Sequence, residues 1–302
     1  MRRFWLGVAA VATLTACSDG NPFAPEEEVD PPAVIPPPTV PEELKGNLKS
    51  FTYDKANEKL VIRGVSLDDT PFSAEYRRRP NLDRAGYHAY TAQDGSLDRH
   101  YTAYVKEIDG TRASVVLSGG QFGYYFGGSA YERDGGFEPP AVGKDSGMVT
   151  YAGRYVGLLN IAGDGGDLLP VEPGTSASVT SRQAAEVTGR VIVNADFADN
   201  SVNGRVYGRR GVDADQRLQS LDLAPADIAT NGTFTGEVSQ GPNEIKGTYG
   251  GLFGGKDAAV VAGTLYAKDH IEGVENEEER GMFVLNQCGT ANADALCTQP
   301  NP

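Results

Sequence analysis

The stretch EIKGTYGGLFGGKDAAVVAGTLY, from Glu244 to Tyr266, decides how the chain is read. Taken with a period of two, Ile245, Gly247, Tyr249, Gly251 and Phe253 fall on one side of a first strand. Val261, Gly263 and Leu265 fall on one side of a second. That alternation marks strands with one buried face. Glycine inside a strand weakens it and needs a reason. The same apolar-x-Gly-x-apolar pattern recurs at Val202, Gly204 and Val206, and again at Phe234, Gly236 and Val238. A small closed barrel supplies the reason: its strands coil sharply, and glycine relieves crowding on the concave side.

Working outward, Thr188–Phe197 alternates with Val191, Val193, Ala195 and Phe197 on one face, and Asp199-Asn200 is a plausible hairpin turn into Ser201–Arg209. Met148–Ile161, Leu218–Leu223 and Gly281–Asn286 complete a set of eight strands, a number that closes into a barrel filled by side chains. The acidic run Ile271–Arg280 reads as a loop or helical turn before the last strand. The expected fold class is all-β: a C-terminal eight-stranded up-and-down antiparallel barrel over residues 144–288, preceded by a β-rich domain over 46–143. In that first half the expected strands are Lys49–Tyr53, Lys59–Val65, Tyr87–Thr91, Tyr101–Ile108, Ala113–Leu117 and Gly120–Tyr131.

The N-terminus carries a different message. Arg2 and Arg3 precede an apolar run from Phe4 to Leu14, then Leu14-Thr15-Ala16-Cys17. A basic start, a short apolar region and small residues at the cut site describe a secretory signal over residues 1–16. The run is too short for a membrane-spanning helix, which needs about 20 residues. A cysteine directly after Leu-x-Ala resembles the lipobox of bacterial lipoproteins, which implies cleavage before Cys17 and lipidation of its thiol and new amino group. Residues 17–45 then form a tether with eight prolines and Glu26-Glu27-Glu28. Such a segment cannot bury a core, and at about 3 Å per residue it reaches up to about 75 Å.

Of the three cysteines, Cys288 and Cys297 remain, nine positions apart in a chain destined for an oxidising compartment. A Cys288–Cys297 bridge closing a terminal loop is expected, with residues 289–302 as a tail. The net charge of −14 argues against nucleic acid, which needs clustered Lys and Arg. The one dense basic cluster, Arg77-Arg78-Arg79, reads as a solvated loop or strand end. The three histidines have no metal-ligand spacing. Tyr87-His88 is a Tyr/His pair of the kind that ligates haem iron, or else an ordinary strand pair. Asp164-Gly165-Gly166-Asp167 lacks the six to eight oxygens that Ca²⁺ wants and reads as a turn. No nucleophile elbow or phosphate loop is present, so no enzyme, metal or cofactor is expected. The aromatic run Phe122, Tyr124, Tyr125 and Phe126 between glycines is the candidate partner-binding segment, since Tyr offers large amphipathic contact area. A strand whose aromatics fill the core fits the same residues.

The run from Gly247 to Leu265 is similar to the barrel signature of the transferrin-binding protein B family, as is the Val191–Val206 stretch. With the lipobox and tether, the resemblance covers about residues 147–286. It implies an eight-stranded barrel paired with an N-terminal β handle, in an outer-membrane lipoprotein often displayed at the cell surface. It also implies binding of a host protein or solute, including haem or an iron carrier handed to a partner receptor. Members are typically two-lobed and about twice as long. Residues 46–143 match no handle motif, and the family's ligand contacts lie in variable loops, so none carries over. The function expected is non-catalytic binding of an extracellular protein or iron or haem carrier. The alternatives are a periplasm-facing structural or envelope-assembly role, and a small ligand held inside the barrel.

Overall fold

Among the described residues, sixteen strands carry the fold. The computed structural model describes residues 38–65, 71–143, 147–241 and 244–299. Cys17 and the tether up to residue 37 lie outside these. The first seven strands form one antiparallel meander: β1 (Leu48–Asp54), β2 (Lys59–Val65), β3 (Pro71–Arg78), β4 (His88–Ala92), β5 (Tyr101–Ile108), β6 (Thr111–Ser118) and β7 (Gly127–Arg133). The second sheet comprises β8 (Met148–Ala162), β9 (Ala184–Asp196), β10 (Ser201–Gly211), the two-residue β11 (Arg217–Leu218), β12 (Leu221–Asp227), β13 (Thr233–Ser239), β14 (Ile245–Gly254), β15 (Val260–Lys268) and β16 (Glu278–Asn286). Each barrel strand pairs with the next, β9 pairs with β10, and β16 returns to β8. Setting β11 aside, the result is a closed eight-stranded up-and-down antiparallel barrel.

The interior holds the alternating set read from the sequence. Val191, Val193, Val202, Val206, Phe234, Val238, Tyr249, Phe253, Val261, Leu265 and Phe283 belong to one buried cluster. The strand glycines face rings directly across the ladder: Gly236 opposes Tyr249, Gly251 opposes Phe234, and Gly263 opposes Phe283. A Cβ at any of the three would press into that ring. Glycine therefore makes room for an aromatic neighbour, a more specific role than bending alone. The rings of Phe197, Phe234, Phe253 and Tyr151 fill one end, with Phe197 and Phe253 centroids 4.9 Å apart. A barrel filled in this way leaves its interior to side chains.

The outer wall is covered as well. Val156, Leu158, Leu252, Val260, Ala262, Met282 and Val284 point outward and pack with Tyr87, Tyr104, Val115, Leu117 and Tyr131 of the first sheet. Gly250 and Gly254 sit on this outer face, against Tyr131 and Thr111. The glycine run from Gly247 to Gly255 thus serves both sides of one strand.

Barrel closure between β8 and β16 is incomplete as a ladder. Pairing runs from Glu279↔Leu159 to Met282↔Val156 and resumes in the same register only at Tyr151↔Gln287. In the gap, the Tyr87 hydroxyl from the first sheet accepts from Val284 N at 3.2 Å and donates to the Arg154 carbonyl at 2.5 Å. Cys288 and Cys297 are disulfide-bonded, and the loop they close packs its 3₁₀ turn (Ala295–Thr298) against β8.

Several expectations need correction. Glu42–Lys45 is a helical turn with Leu44 fully buried, so the body takes over from the tether before residue 45. Strand β3 (Pro71–Arg78) goes unread in the sequence, because its arginine-rich end masks the strand pattern around the buried Tyr76. Gly120–Tyr131 is strand only from Gly127; the rest is a turn. Leu218–Leu223 splits into β11 and β12. Three residues of the acidic run Ile271–Arg280 are already strand, and Glu277 and Glu279 are buried.

Replacing Tyr87 by Phe keeps the ring but orphans Val284 N and the Arg154 carbonyl. We expect a loss of about 1–3 kcal/mol in urea denaturation of the full chain. A change below a few tenths would mean that water replaces the hydroxyl.

Candidate functional site

The four aromatics singled out in the sequence lie on the β6–β7 connection. Gln121 and Tyr124 exchange backbone hydrogen bonds at 2.9 and 3.0 Å. Phe122 has φ 55° and Gly123 φ 77°, which makes a two-residue hairpin turn with both central residues left-handed. Asn or Asp normally takes the first of those positions. A bulky residue there is an outlier that costs on the order of 1–3 kcal/mol and persists where surroundings hold it.

Those surroundings are specific. The buried Gln121 side chain donates to the Leu97 carbonyl at 2.7 Å and the Val179 carbonyl at 2.9 Å. Arg99 donates to the Tyr124 carbonyl at 2.6 Å and lies over the Phe126 ring, 4.9 Å from its centroid. Arg182 N donates to the Gly120 carbonyl at 3.1 Å. The tip is therefore clamped between the Gln93–Arg99 loop and the long β8–β9 loop. Phe122 is 60% exposed and Tyr124 58%, while Tyr125 and Phe126 are half-buried. The four aromatics divide: two point to solvent and two anchor the hairpin. Leu97, at 49%, adds to the exposed apolar surface. A groove of about 490 Å³ runs beneath the tip, bordered by Gly119, Asn160, Ser178, Thr180 and Arg182.

The β8–β9 loop is held to the first sheet by a polar knot. Asp167 pairs with Arg79 at 2.9 Å and His100 at 3.2 Å, and the Ser181 hydroxyl accepts from His100 N at 2.8 Å. This accounts for Asp164-Gly165-Gly166-Asp167 as a turn with one docking carboxylate. Tyr87 is committed to the barrel seam, whereas the His88 ring meets the Tyr53 hydroxyl at 3.1 Å. The two do not converge on one ligand. Arg78 pairs with Asp83 at 2.6 Å, so the basic cluster is a strand end tied to its own turn.

Sequence reasoning missed a buried ionic cluster inside the barrel mouth, on the same side as the β8–β9 loop. Arg209 and Glu279 form a fully buried ion pair, and the Tyr155 hydroxyl donates to Glu279 at 2.6 Å. His270 Nε2 stands 3.4 Å from Glu279 without hydrogen-bond geometry. Glu277 accepts from the backbone amides of His270 and Ile271. The signal available was the charge alternation of Glu277, Glu279 and the apolar residues after them, which a loop assignment discards. Burial holds the His270 imidazole below its ordinary value; Arg209 adds to this, while Glu279 and Glu277 oppose it. Among the described residues, no group of three His, Cys, Asp or Glu could hold a metal ion, and no helix is long and apolar enough to cross a membrane.

The fold defines an all-β protein in which an eight-stranded up-and-down barrel carries a seven-stranded sheet curled on its wall. Similar solved structures include forms of transferrin-binding protein B. Two mutants of the protein from Haemophilus parasuis Hp5 match at 12% identity and TM-score 0.36, covering 76% of this chain and 51% of that one. The isotype 1 protein from serogroup B Neisseria meningitidis matches at 14% identity and TM-score 0.35, covering 80% and 52%. The chain spans about half the length of these structures. No family model matches it, and no curated protein does.

The mouth cluster predicts a pH dependence. The unfolded chain takes up a proton at His270 near the ordinary value of 6.5, where the folded chain resists it. Stability is therefore full above that pH and declines as pH falls toward the lower folded value. Glu186, whose carboxyl burial pushes up, works in the opposite direction, so the comparison is with His270→Gln. Between about pH 7.5 and about pH 5.5, the parent is expected to lose about 1 kcal/mol more than the variant. Equal slopes in chemical denaturation would show that His270 titrates as it does in solution.

Proposed function

We propose that this chain is a non-catalytic binding lipoprotein of the outer membrane. Lipid on Cys17 and the Pro-rich tether hold it at the cell surface, and the hairpin tip at Phe122 and Tyr124 engages an extracellular protein. The observation that carries the reading is Phe122: an exposed aromatic ring in a left-handed backbone position, held there by Gln121 and Arg99. Neither stability nor solubility favours such a residue, whereas a partner that buries the ring does. Two exposed aromatics above a groove, with polar groups at the rim, match the make-up of protein-binding surfaces. The resemblance of Gly247–Leu265 to the transferrin-binding protein B signature favours an iron or haem carrier as the partner, with a receptor to receive its cargo.

Protease shaving of intact cells, with a tag after Pro302 and a permeabilised control, tests the display. Loss of the tag on intact cells is expected; its survival until permeabilisation would favour an envelope-assembly role. A second test uses the strain. Phe122→Asn should raise stability by about 0.5–1 kcal/mol. The same change, or Tyr124→Ala, should weaken binding to the extracellular partner by about tenfold or more. Unchanged affinity in both variants would remove the hairpin from the interface.

A further inference from the structure

The seven-stranded sheet curls until its two end strands approach, and they are bridged at one end. Asn47 N donates to the Gly127 carbonyl at 2.9 Å, and Asn47 Oδ1 accepts from Gly127 N at 3.2 Å. The Ser129 hydroxyl also donates to the Leu44 carbonyl at 2.9 Å. Gly128 permits the approach, since a Cβ there would press into the Lys45 carbonyl. Beyond these contacts β1 and β7 share no pairing among the described residues. They leave a groove of about 460 Å³ between two free sheet edges, floored by Leu48, Phe51 and Tyr131. Free edges present rows of backbone donors and acceptors that template another strand.

Six antiparallel steps separate β1 from β7, so the two run in the same direction. One strand antiparallel to both would complete an eight-stranded meander, the arrangement the second sheet achieves by itself. The obvious donor is the tether, which enters along the groove at Pro38, Thr39 and Val40. Its composition forbids the role. Five of the eight residues from Pro31 to Pro38 are proline, and each lacks the N–H that pairing on both sides requires.

We propose that this slot is a strand-addition site for an extended, proline-free, acidic segment of another protein. Charge supports the acidic character. In a chain of net charge −14, the groove carries Lys45, Lys49 and Arg133 against Glu132 alone. Lys49 is exposed, and among the described residues Lys45 pairs with the exposed Glu42. Arg133 donates to the Phe253 and Asn231 carbonyls and contributes its field from the floor. Backbone pairing would provide the affinity and the basic rim the selection. This surface is separate from the hairpin tip, so the two proposals stand or fall independently.

The test is hydrogen exchange on the full mature chain, with a synthetic peptide of about nine alternating Val and Thr residues flanked by Glu. Peptide binding should slow amide exchange by about tenfold in both Leu48–Asp54 and Gly127–Arg133. N-methylation of alternate peptide amides should abolish the effect, and Lys49→Glu should weaken binding about threefold to fivefold. Three results would overturn the proposal: no slowing at either edge, slowing that survives N-methylation, or protection of both edges together with residues 26–37 before peptide is added. The last would mean that the tether fills the slot despite its prolines.

Discussion

The hydroxyl of Tyr87 is the contact on which the architecture turns. An up-and-down barrel must join its first strand to its last, and β8 and β16 are the pair farthest apart in the meander. Between Met282↔Val156 and Tyr151↔Gln287 the two keep register without bonding directly. Tyr87, fully buried and reaching over from the other sheet, supplies an acceptor for Val284 N and a donor for the Arg154 carbonyl. An unpaired buried backbone group costs about as much as a lost hydrogen bond, so the gap is tolerable only while the first sheet is docked. The dependence runs the other way too. Tyr87, Tyr104, Val115 and Leu117 find their apolar surroundings on the barrel wall, and Arg280 of β16 donates to the Glu43 and Leu44 carbonyls that lead into β1. Barrel and sheet are halves of one core.

This mutual burial explains which parts of the chain could be read in advance. Strands with one solvated face alternate cleanly, and β9, β10 and β13 declare themselves through Val191, Val202, Phe234 and their partners. Strand β15 is buried along nearly its whole length, yet its glycine at 263 gave the phase. The hairpin at Gln121–Tyr124 was harder. Two of its aromatics anchor and two are exposed, and no rule of spacing separates Tyr124 from Tyr125; only the clamp by Arg99 and Gln121 does. The mouth cluster was illegible for a different reason. Glu277, Glu279 and His270 come from one stretch and Arg209 from another far away in sequence, and acidic residues near a loop ordinarily face water. Their burial depends on one another's charges, which a single stretch of sequence does not reveal.

The two ends of the barrel are built by opposite means. At one, rings interlock: Phe137, Phe197, Phe234 and Phe253 pack with Tyr151, whose hydroxyl donates to the Ala258 carbonyl at 2.6 Å. At the other, an ion pair, a histidine and a second carboxylate occupy the mouth beneath the β8–β9 loop. Apolar packing stabilises many near-equivalent arrangements, while a buried network is stable in few. The loops that frame the hairpin tip are fixed by polar contacts of their own, through Asp167 with His100 and Arg79 and through Gln121 with Val179. A rigid frame is what allows Phe122 to remain in a backbone position it disfavours.

The first sheet meets the same closure problem as the barrel and leaves it unsolved. The barrel has eight strands and bridges its weak joint with a borrowed hydroxyl; the sheet has seven and bridges its joint at one end, through Asn47 and Leu44. Exposed edges invite aggregation, and proteins commonly blunt them with bulges, prolines and lysines. Strand β1 carries two of those devices, an irregularity between Leu48 and Ser50 and the charge of Lys49, and the tether lays Pro38 beside it. The protection is partial: it discourages a second copy of this basic-rimmed edge through like charge, but not a strand of opposite charge. An edge guarded against itself and open to an acidic strand is a selective edge, and selectivity of that kind is hard to reconcile with a gap left by chance.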